Sequence, residues 1–295
     1  MAFNLNALQQ WTEENTDLLS AQILGTEVLS EIAVRTGVSA GTVALNIFSA
    51  NTADADRACG WNPAGDMTFD QVDVVVSDRQ IKQESCPVTL RDYWLAARMA
   101  PGEQGNEEVP FEQTISDYFL KGVSKNIEDF IGQAIKTQIQ PDPIPGQGGP
   151  GVPANAAPLT VANAVDQLND LYDALSAETQ MRDDVRLIMS PAAYRTAVRA
   201  FVASDLIHYN FNDGTADIYL PGTNAKLVKS SGLVGSDYIA AIAGEYVVFA
   251  TGLMDDMDKF TMFYDAGSDI LKTTLFYRRG LGVYNVSAQA TNGLA

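Results

Sequence analysis

Residues 111–137, FEQTISDYFLKGVSKNIEDFIGQAIKT, constrain the fold more than any other stretch. Twenty-seven residues pass without a proline. Phe111, Ile115, Tyr118, Phe119, Val123, Ile127, Phe130, Ile131, Ala134 and Ile135 recur at steps of three and four. That spacing draws one apolar stripe along a helix with a period near 3.6. Pro110 stands where a helix start tolerates it. Pro141, Pro143 and Pro145 stand where a helix cannot continue. At about 1.5 Å per residue the helix runs roughly 40 Å. Phe111, Ile115, Phe119, Val123, Ile127, Phe130 and Ile131 are its candidate core residues.

The chain ahead of this helix reads as an arm and an extended ribbon. Residues 1–35 carry helical spacing at Leu5, Leu8 and Trp11 and again from Leu18 to Ala33, ending near Gly37. This segment either packs on its own domain or lies on a neighbour. TVALNIFS, residues 42–49, predicts a strand. A turn-rich loop with Gly60, Asn62-Pro63 and Gly65 follows. Residues 67–85, MTFDQVDVVVSDRQIKQES, lack Gly and Pro and carry many β-branched residues. Nineteen strand residues span roughly 60 Å, whereas a compact chain of 295 residues is about 50 Å across. Either the strand breaks near Ser77-Asp78, or the ribbon 42–85 extends beyond the globule and is covered by neighbouring copies.

Beyond a short helix at 88–99 and the long helix, six prolines and four glycines make residues 141–158 a loop. No Lys-Ser/Thr follows its glycines, and its prolines lack amide donors, so it is no phosphate loop. A second amphipathic helix starts from Thr160 as N-cap, with Leu168, Leu171 and Leu175 on one face. VRLIM, residues 185–189, predicts a buried strand, and Ser190-Pro191 opens a further helix with cap and N1 proline in place. The last third alternates as strands at 217–220, 225–229, 238–243, 246–250, 260–264 and 271–278. Gly244-Glu245 makes a hairpin-like link, and the C-terminal stretch reads as a final strand. The fold class is α+β.

Composition excludes several function classes. A net charge of −18 argues against a broad nucleic-acid-binding face, leaving only local basic patches such as Arg278-Arg279. No apolar run approaches the ~18 residues of a membrane span, and MAFNLNALQQWTEEN has no signal-peptide pattern, so synthesis and use in the cytosol are expected. Cys59 and Cys86 form no metal-binding spacing, and His208 is the sole histidine. His208 lies among aromatic and apolar residues and reads as structural. Asp255-Asp256-Met257-Asp258 lacks a calcium-hand pattern and reads as a solvated turn. No catalytic site, metal or cofactor is expected.

The order of these parts resembles that of the major capsid proteins of tailed bacteriophages, a fold shared with encapsulin shells and the herpesvirus capsid floor. The matching stretches are IEDFIGQA at the end of the long helix, VRLIMSPAAYRTAVRAF, IYLPGTNAKLVKSSGL, IAAIAGEYVVFATGL and LFYRRGLGVYNVSAQA. The resemblance implies an N-terminal arm over 1–41 and an extended loop over 42–95. It implies a peripheral domain over 96–184 with the spine helix 111–137, an axial domain over 185–268, and a return to the peripheral domain over 269–295. It implies self-assembly as hexamers and pentamers into an icosahedral shell around the phage genome, without sequence-specific DNA binding. The implied location is the virion capsid, assembled in host cytoplasm, with scaffolding, portal and decoration proteins as partners. The chain ahead of the ribbon is too short for a built-in scaffold, so a separate scaffolding protein is expected. Asp56, Arg57 and Trp61 at the loop tip are the candidate inter-subunit contacts. A Lys82 cross-link to Asn285 or Asn292, as in some relatives, finds little support in such common residues. An encapsulin-type compartment shell and an α/β enzyme are the competing readings.

Overall fold

The computed structural model describes residues 27–52, 65–86, 111–140, 149–153, 157–206, 217–252, 261–265, 267–268 and 270–294. Among these residues the strands form two sheets. The larger runs β1 (Ala33–Arg35), β7 (Val247–Thr251), β9 (Ile270–Val283), β3 (Gly65–Ser85), β2 (Gly41–Thr52), with β8 (Thr261–Asp265) also on β9. The smaller runs β10 (Ala290–Thr291), β6 (Ile239–Ala243), β4 (Val185–Met189), β5 (Lys226–Lys229). The architecture is α+β.

The long helix α1 (Phe111–Gln138) lies between the sheets. At 28 residues it spans about 42 Å. Phe119, Val123, Ile127, Ile131 and Ile135 share one core with Leu275, Tyr277 and Leu281 of β9 and with Ile188, Val228 and Ile242 of the smaller sheet. Phe130 is half-buried against that core. The side chains of Phe111 and Ile115 lie outside the described ones. Tyr118, which the apolar spacing includes, is instead 73% exposed with the Lys121 ammonium over its ring. Phe119 heads a strict every-fourth-residue stripe that runs on to Ile139, and Tyr118 stands about 100° off it. The Tyr238 hydroxyl donates to the Ile139 carbonyl at 2.6 Å and satisfies part of the helix end.

The smaller sheet is covered on its other face. Leu187, Met189, Ile239 and Ala241 pack against Leu168 and Leu171 of α2 (Ala164–Asp173) and Ala197 and Phe201 of α4 (Pro191–Ala203). The short helix α3 (Ala177–Gln180) joins α2 to β4. Ser190 caps α4 as expected: its hydroxyl accepts from the Ala193 amide at 3.3 Å, with Pro191 in the first turn. The start of α2 differs from expectation. Asn163 Oδ1 accepts from both the amide and the hydroxyl of Thr160, closing a turn, and the helix begins only at Ala164.

Two strand expectations change, and the alternative left open for residues 67–85 is decided. β6 and β7 are not a hairpin: a 3-10 turn, Gly244–Tyr246, sends the chain from the smaller sheet into the larger. β6 pairs with β4 and β10, while β7 pairs with β9 and, in parallel, with β1. The C-terminal stretch is not one strand. β9 ends at Val283, Asn285 takes a left-handed conformation (φ 52), and only Ala290–Thr291 returns to a sheet. β3 does not break at Ser77-Asp78. It runs through as 21 residues, about 70 Å, and changes partner there.

Candidate assembly surface

The partner change on β3 creates the site. Gly65–Val76 pairs antiparallel with Thr52–Gly41 of β2. Ser77–Ser85 pairs antiparallel with Arg279–Leu271 of β9. The inner half is therefore anchored in the larger sheet, and the outer half is a two-stranded ribbon among the described residues. Strand alternation separates its faces. Val74 and Val76 point one way and pack with Val38 and Ala250. Met67, Phe69 and Val75 fall on the other face and are 62%, 78% and 72% exposed. Three large apolar side chains on one ribbon face exceed the scattered exposure of an ordinary monomer surface.

That face continues toward α1. A groove of about 550 Å³ is lined by Val75 of the ribbon, Phe130, Ala134 and Thr137 of the helix, and Leu281 and Val283 of β9. Next to it, sharing Phe130 and Gln133, lies a second groove of about 540 Å³ lined by Arg79, Asn126, Asp129, Tyr277 and Arg279. The Arg279 guanidinium stacks over Phe130 at 4.2 Å and donates to the Asn126 carbonyl at 3.3 Å. Its Nε is buried and has no acceptor. Burial pulls its pKa down, and the nearby charge of Arg79 adds to that while Tyr277 opposes it. On the other face of the sheet, Arg278 reaches Asp78 at 2.9 Å.

The surface is backed by close packing. Gly132 of α1 and Gly232 of the Ser231–Leu233 turn meet backbone to backbone. A Cβ at Gly132 would lie 2.6 Å from Ser230 Oγ and 2.9 Å from Gly232 Cα. Around this contact Gln133 donates to the Gly232 carbonyl, Ser231 donates to Asp129 at 2.5 Å, and Lys136 donates to Ser236 at 3.3 Å.

Residues 27–35 tie helix and both sheets together. β1 lies on β7, the Val28 amide donates to Glu128 of α1 at 3.0 Å, and Glu31 pairs with both Arg186 and Lys226 of the smaller sheet. Burial alone would push the Glu31 carboxyl up. The hydrogen bonds and charges of Lys226 and Arg186 outweigh it and hold the group below its ordinary value. Burial pushes the Glu128 carboxyl up, against the Val28 amide. At the turn between the sheets, Arg182 binds Asp184 at 2.8 Å, pairs with Glu245 and stacks on Tyr246. The Asp184 contact, with Glu245, raises the Arg182 pKa above its usual range.

Asp56, Arg57 and Trp61 lie outside the described residues, as do Cys59, His208, the 255–258 acidic cluster and the 88–99 helix. Lys82 is exposed on β3. Asn292 is buried and committed, accepting from the Ile239 amide at 2.9 Å and donating to the Asp237 carbonyl at 2.6 Å. Among the described residues no group of three His, Cys, Asp or Glu side chains is placed to hold a metal, and no helix is long and apolar enough to cross a membrane. Sequence reading missed that Arg79 and Arg279 line one groove. The Arg278-Arg279 doublet was its one visible sign; the sheet alternation that turns Arg279 toward Arg79 and Arg278 away was the missing step.

No family model matches the chain, and no curated protein matches it. Solved structures do. A chain of the satellite phage P4 procapsid, in a structure that includes the size determination (Sid) protein, is 11% identical with a TM-score of 0.54, over 95% of this chain and 89% of that one. The fold is that of a tailed-phage capsid protein. A chain from Mycobacterium phage Che8 is 13% identical with a TM-score of 0.51, over 92% of this chain and 89% of that one. Both alignments span more than nine-tenths of this chain.

Proposed function

We propose that this chain is the major shell protein of a tailed-phage capsid, a structural protein that self-assembles as hexamers and pentamers into an icosahedral shell enclosing the genome. The observation that carries the reading is β3: one continuous strand, anchored in the larger sheet over Ser77–Ser85 and largely exposed at Met67, Phe69 and Val75. A two-stranded ribbon with an apolar face is marginal in water by itself. Repeated copies related by closed symmetry can cover it on every subunit. The likeness of fold supports the same reading. The role is architectural and needs no catalytic group; DNA is enclosed without sequence-specific contacts, as suits a chain of net charge −18.

In this reading residues 1–41 are an arm, 42–95 the extended loop, 96–184 and 269–295 the peripheral domain with α1 as its spine, and 185–268 the axial domain. Asp56, Arg57 and Trp61 contact a neighbouring subunit. A separate scaffolding protein, a portal and decoration proteins are the partners, and the assembled location is the virion. Electron microscopy of the purified chain, alone and co-expressed with its scaffold, tests this. Uniform closed shells are expected, and a small fixed oligomer under both conditions would overturn the proposal.

A further inference from the structure

The Arg79–Arg279 groove is the best-built feature of the molecule that its own chain does not use. Arg182, Arg186, Lys226, Lys229, Lys272 and Arg278 each hold a carboxylate of the same chain. Arg79 and Arg279 hold none among the described residues, although both face one groove with Phe130 and Tyr277. Asp129, the carboxylate that lines it, is taken by the Ser231 hydroxyl at 2.5 Å and makes no ion pair with either arginine. Arg279 is positioned from below by Phe130 and from the side by the Asn126 carbonyl. Two guanidiniums held close together without a counter-charge repel one another, and a buried Nε without an acceptor is unfavourable. An incoming carboxylate relieves both, with the paired geometry that guanidinium favours.

We infer that this groove receives carboxylate side chains of a second copy of the chain, and so forms a charge-matched contact between subunits. The inference rests on the self-assembly proposed above. Two observations select a protein copy over a nucleic-acid backbone. The cationic groove runs into the apolar one through the shared Phe130 and Gln133, and beyond it lies the exposed Val75 on the ribbon face. An amphipathic protein segment fills such a surface, whereas a phosphate chain has no apolar part to offer. The chain itself supplies the counter-charge in excess, with 37 Asp and Glu residues against 19 Lys and Arg.

The test places a photoreactive p-benzoylphenylalanine at Asn126, an exposed helix residue that lines the groove and holds Arg279 only through its backbone carbonyl. Irradiated particles are run on denaturing gels and the linked peptides are mapped by mass spectrometry. Dimer bands joining the groove to an Asp- or Glu-bearing peptide of another copy are expected. Links only within one chain, or to nucleic acid or another protein, would overturn the inference. In parallel, Arg79→Glu is expected to lower particle yield by about tenfold or more while the melting of the separate subunit stays unchanged, with Arg79→Lys restoring much of the yield. Wild-type yield from Arg79→Glu would also overturn it. Particles that form normally but ignore the groove sink this inference alone; wild-type chain that forms no particles sinks the assembly reading and this contact with it.

Discussion

The helix α1 and the strand β3 are the two longest elements of the molecule, and their side chains meet opposite fates. Along α1, Val123, Ile127, Ile131 and Ile135 are each at most 1% exposed. Along the outer half of β3, Met67, Phe69 and Val75 are each more than 60% exposed. The helix finds all its partners within the chain, on two sheets at once. The strand pairs with β9 over its inner half and with β2 over its outer half, and one face of that outer half, at Met67, Phe69 and Val75, stays exposed. Apolar residues in water are equally unfavourable in both places. On the assembly proposed above, the difference marks where folding stops and assembly starts: the helix belongs to the stability of one subunit, the ribbon to its contacts with others.

The sharpest way to break this contrast is to place the same charge on each element. Ile127→Asp puts a carboxylate into a site with 0% exposure. It is expected to remove at least 4–5 kcal/mol, about as much as a domain can lose, and to abolish soluble expression and cooperative thermal unfolding. Phe119→Asp should act the same way. Phe69→Asp changes a residue that is 78% exposed. It is expected to move subunit stability by less than about 1 kcal/mol while eliminating closed shells in micrographs. A folded, shell-forming Ile127→Asp, or an unfolded Phe69→Asp subunit, would invert the account.

How far the sequence carried this contrast depends on the element. The helix was legible almost to the residue, because a stripe buried on both sheets repeats at 3.6 without interruption, and Pro110 and Pro141 bracket it. Among the described side chains, Tyr118 was admitted to the stripe, while Leu120 and Ile139, both buried in its core, were left out. Length marked β3 as too long for the globule, but its partner change at Ser77 was not legible, since both halves share strand-forming composition. The polar residues that hid one-sided burial there are what an element facing core at one end and solvent at the other requires. The β6–β7 link looked like a hairpin because Gly244-Glu245 is a local turn signal. What separates the two strands is long-range: β4 and β10 claim one, β1 and β9 the other. The surface itself, Arg79 beside Arg279 and Phe130, draws on three distant segments, and no local pattern encodes it.

Smaller effects sharpen the helix side of the contrast. Gly132→Ala gains helix propensity of about 1 kcal/mol, but its Cβ would lie 2.9 Å from the Gly232 backbone. Overpacking of about 1–3 kcal/mol is expected to win, giving a lower Tm in calorimetry. An unchanged or raised Tm would mean that the 231–233 turn yields. Glu31→Gln breaks a pair whose carboxylate side chain is only 13% exposed and should cost about 1–3 kcal/mol at pH 7. Its sign with pH is fixed. Glu31 titrates below its ordinary 4.5 in the fold, so its contribution is present above that value and is lost as pH falls through and below it. The variant should therefore show a flatter acid limb in Tm against pH. Glu128 is raised and acts oppositely, losing stability as pH climbs above 4.5. Glu128→Gln keeps an acceptor for the Val28 amide and is expected to change neutral-pH stability by under about 1 kcal/mol, in either direction, without an acid-side loss.

Amide hydrogen exchange on assembled particles against separated subunits tests the central claim most directly. Peptides covering 123–135 of α1 are expected to exchange slowly in both states, because their core is complete within one chain. Peptides covering 41–52 and 65–76 of the ribbon are expected to exchange rapidly in the subunit and at least about tenfold more slowly in the particle. Equal exchange of the ribbon in the two states would mean that no neighbour covers it, and would contradict the division between a folding helix and an assembling strand.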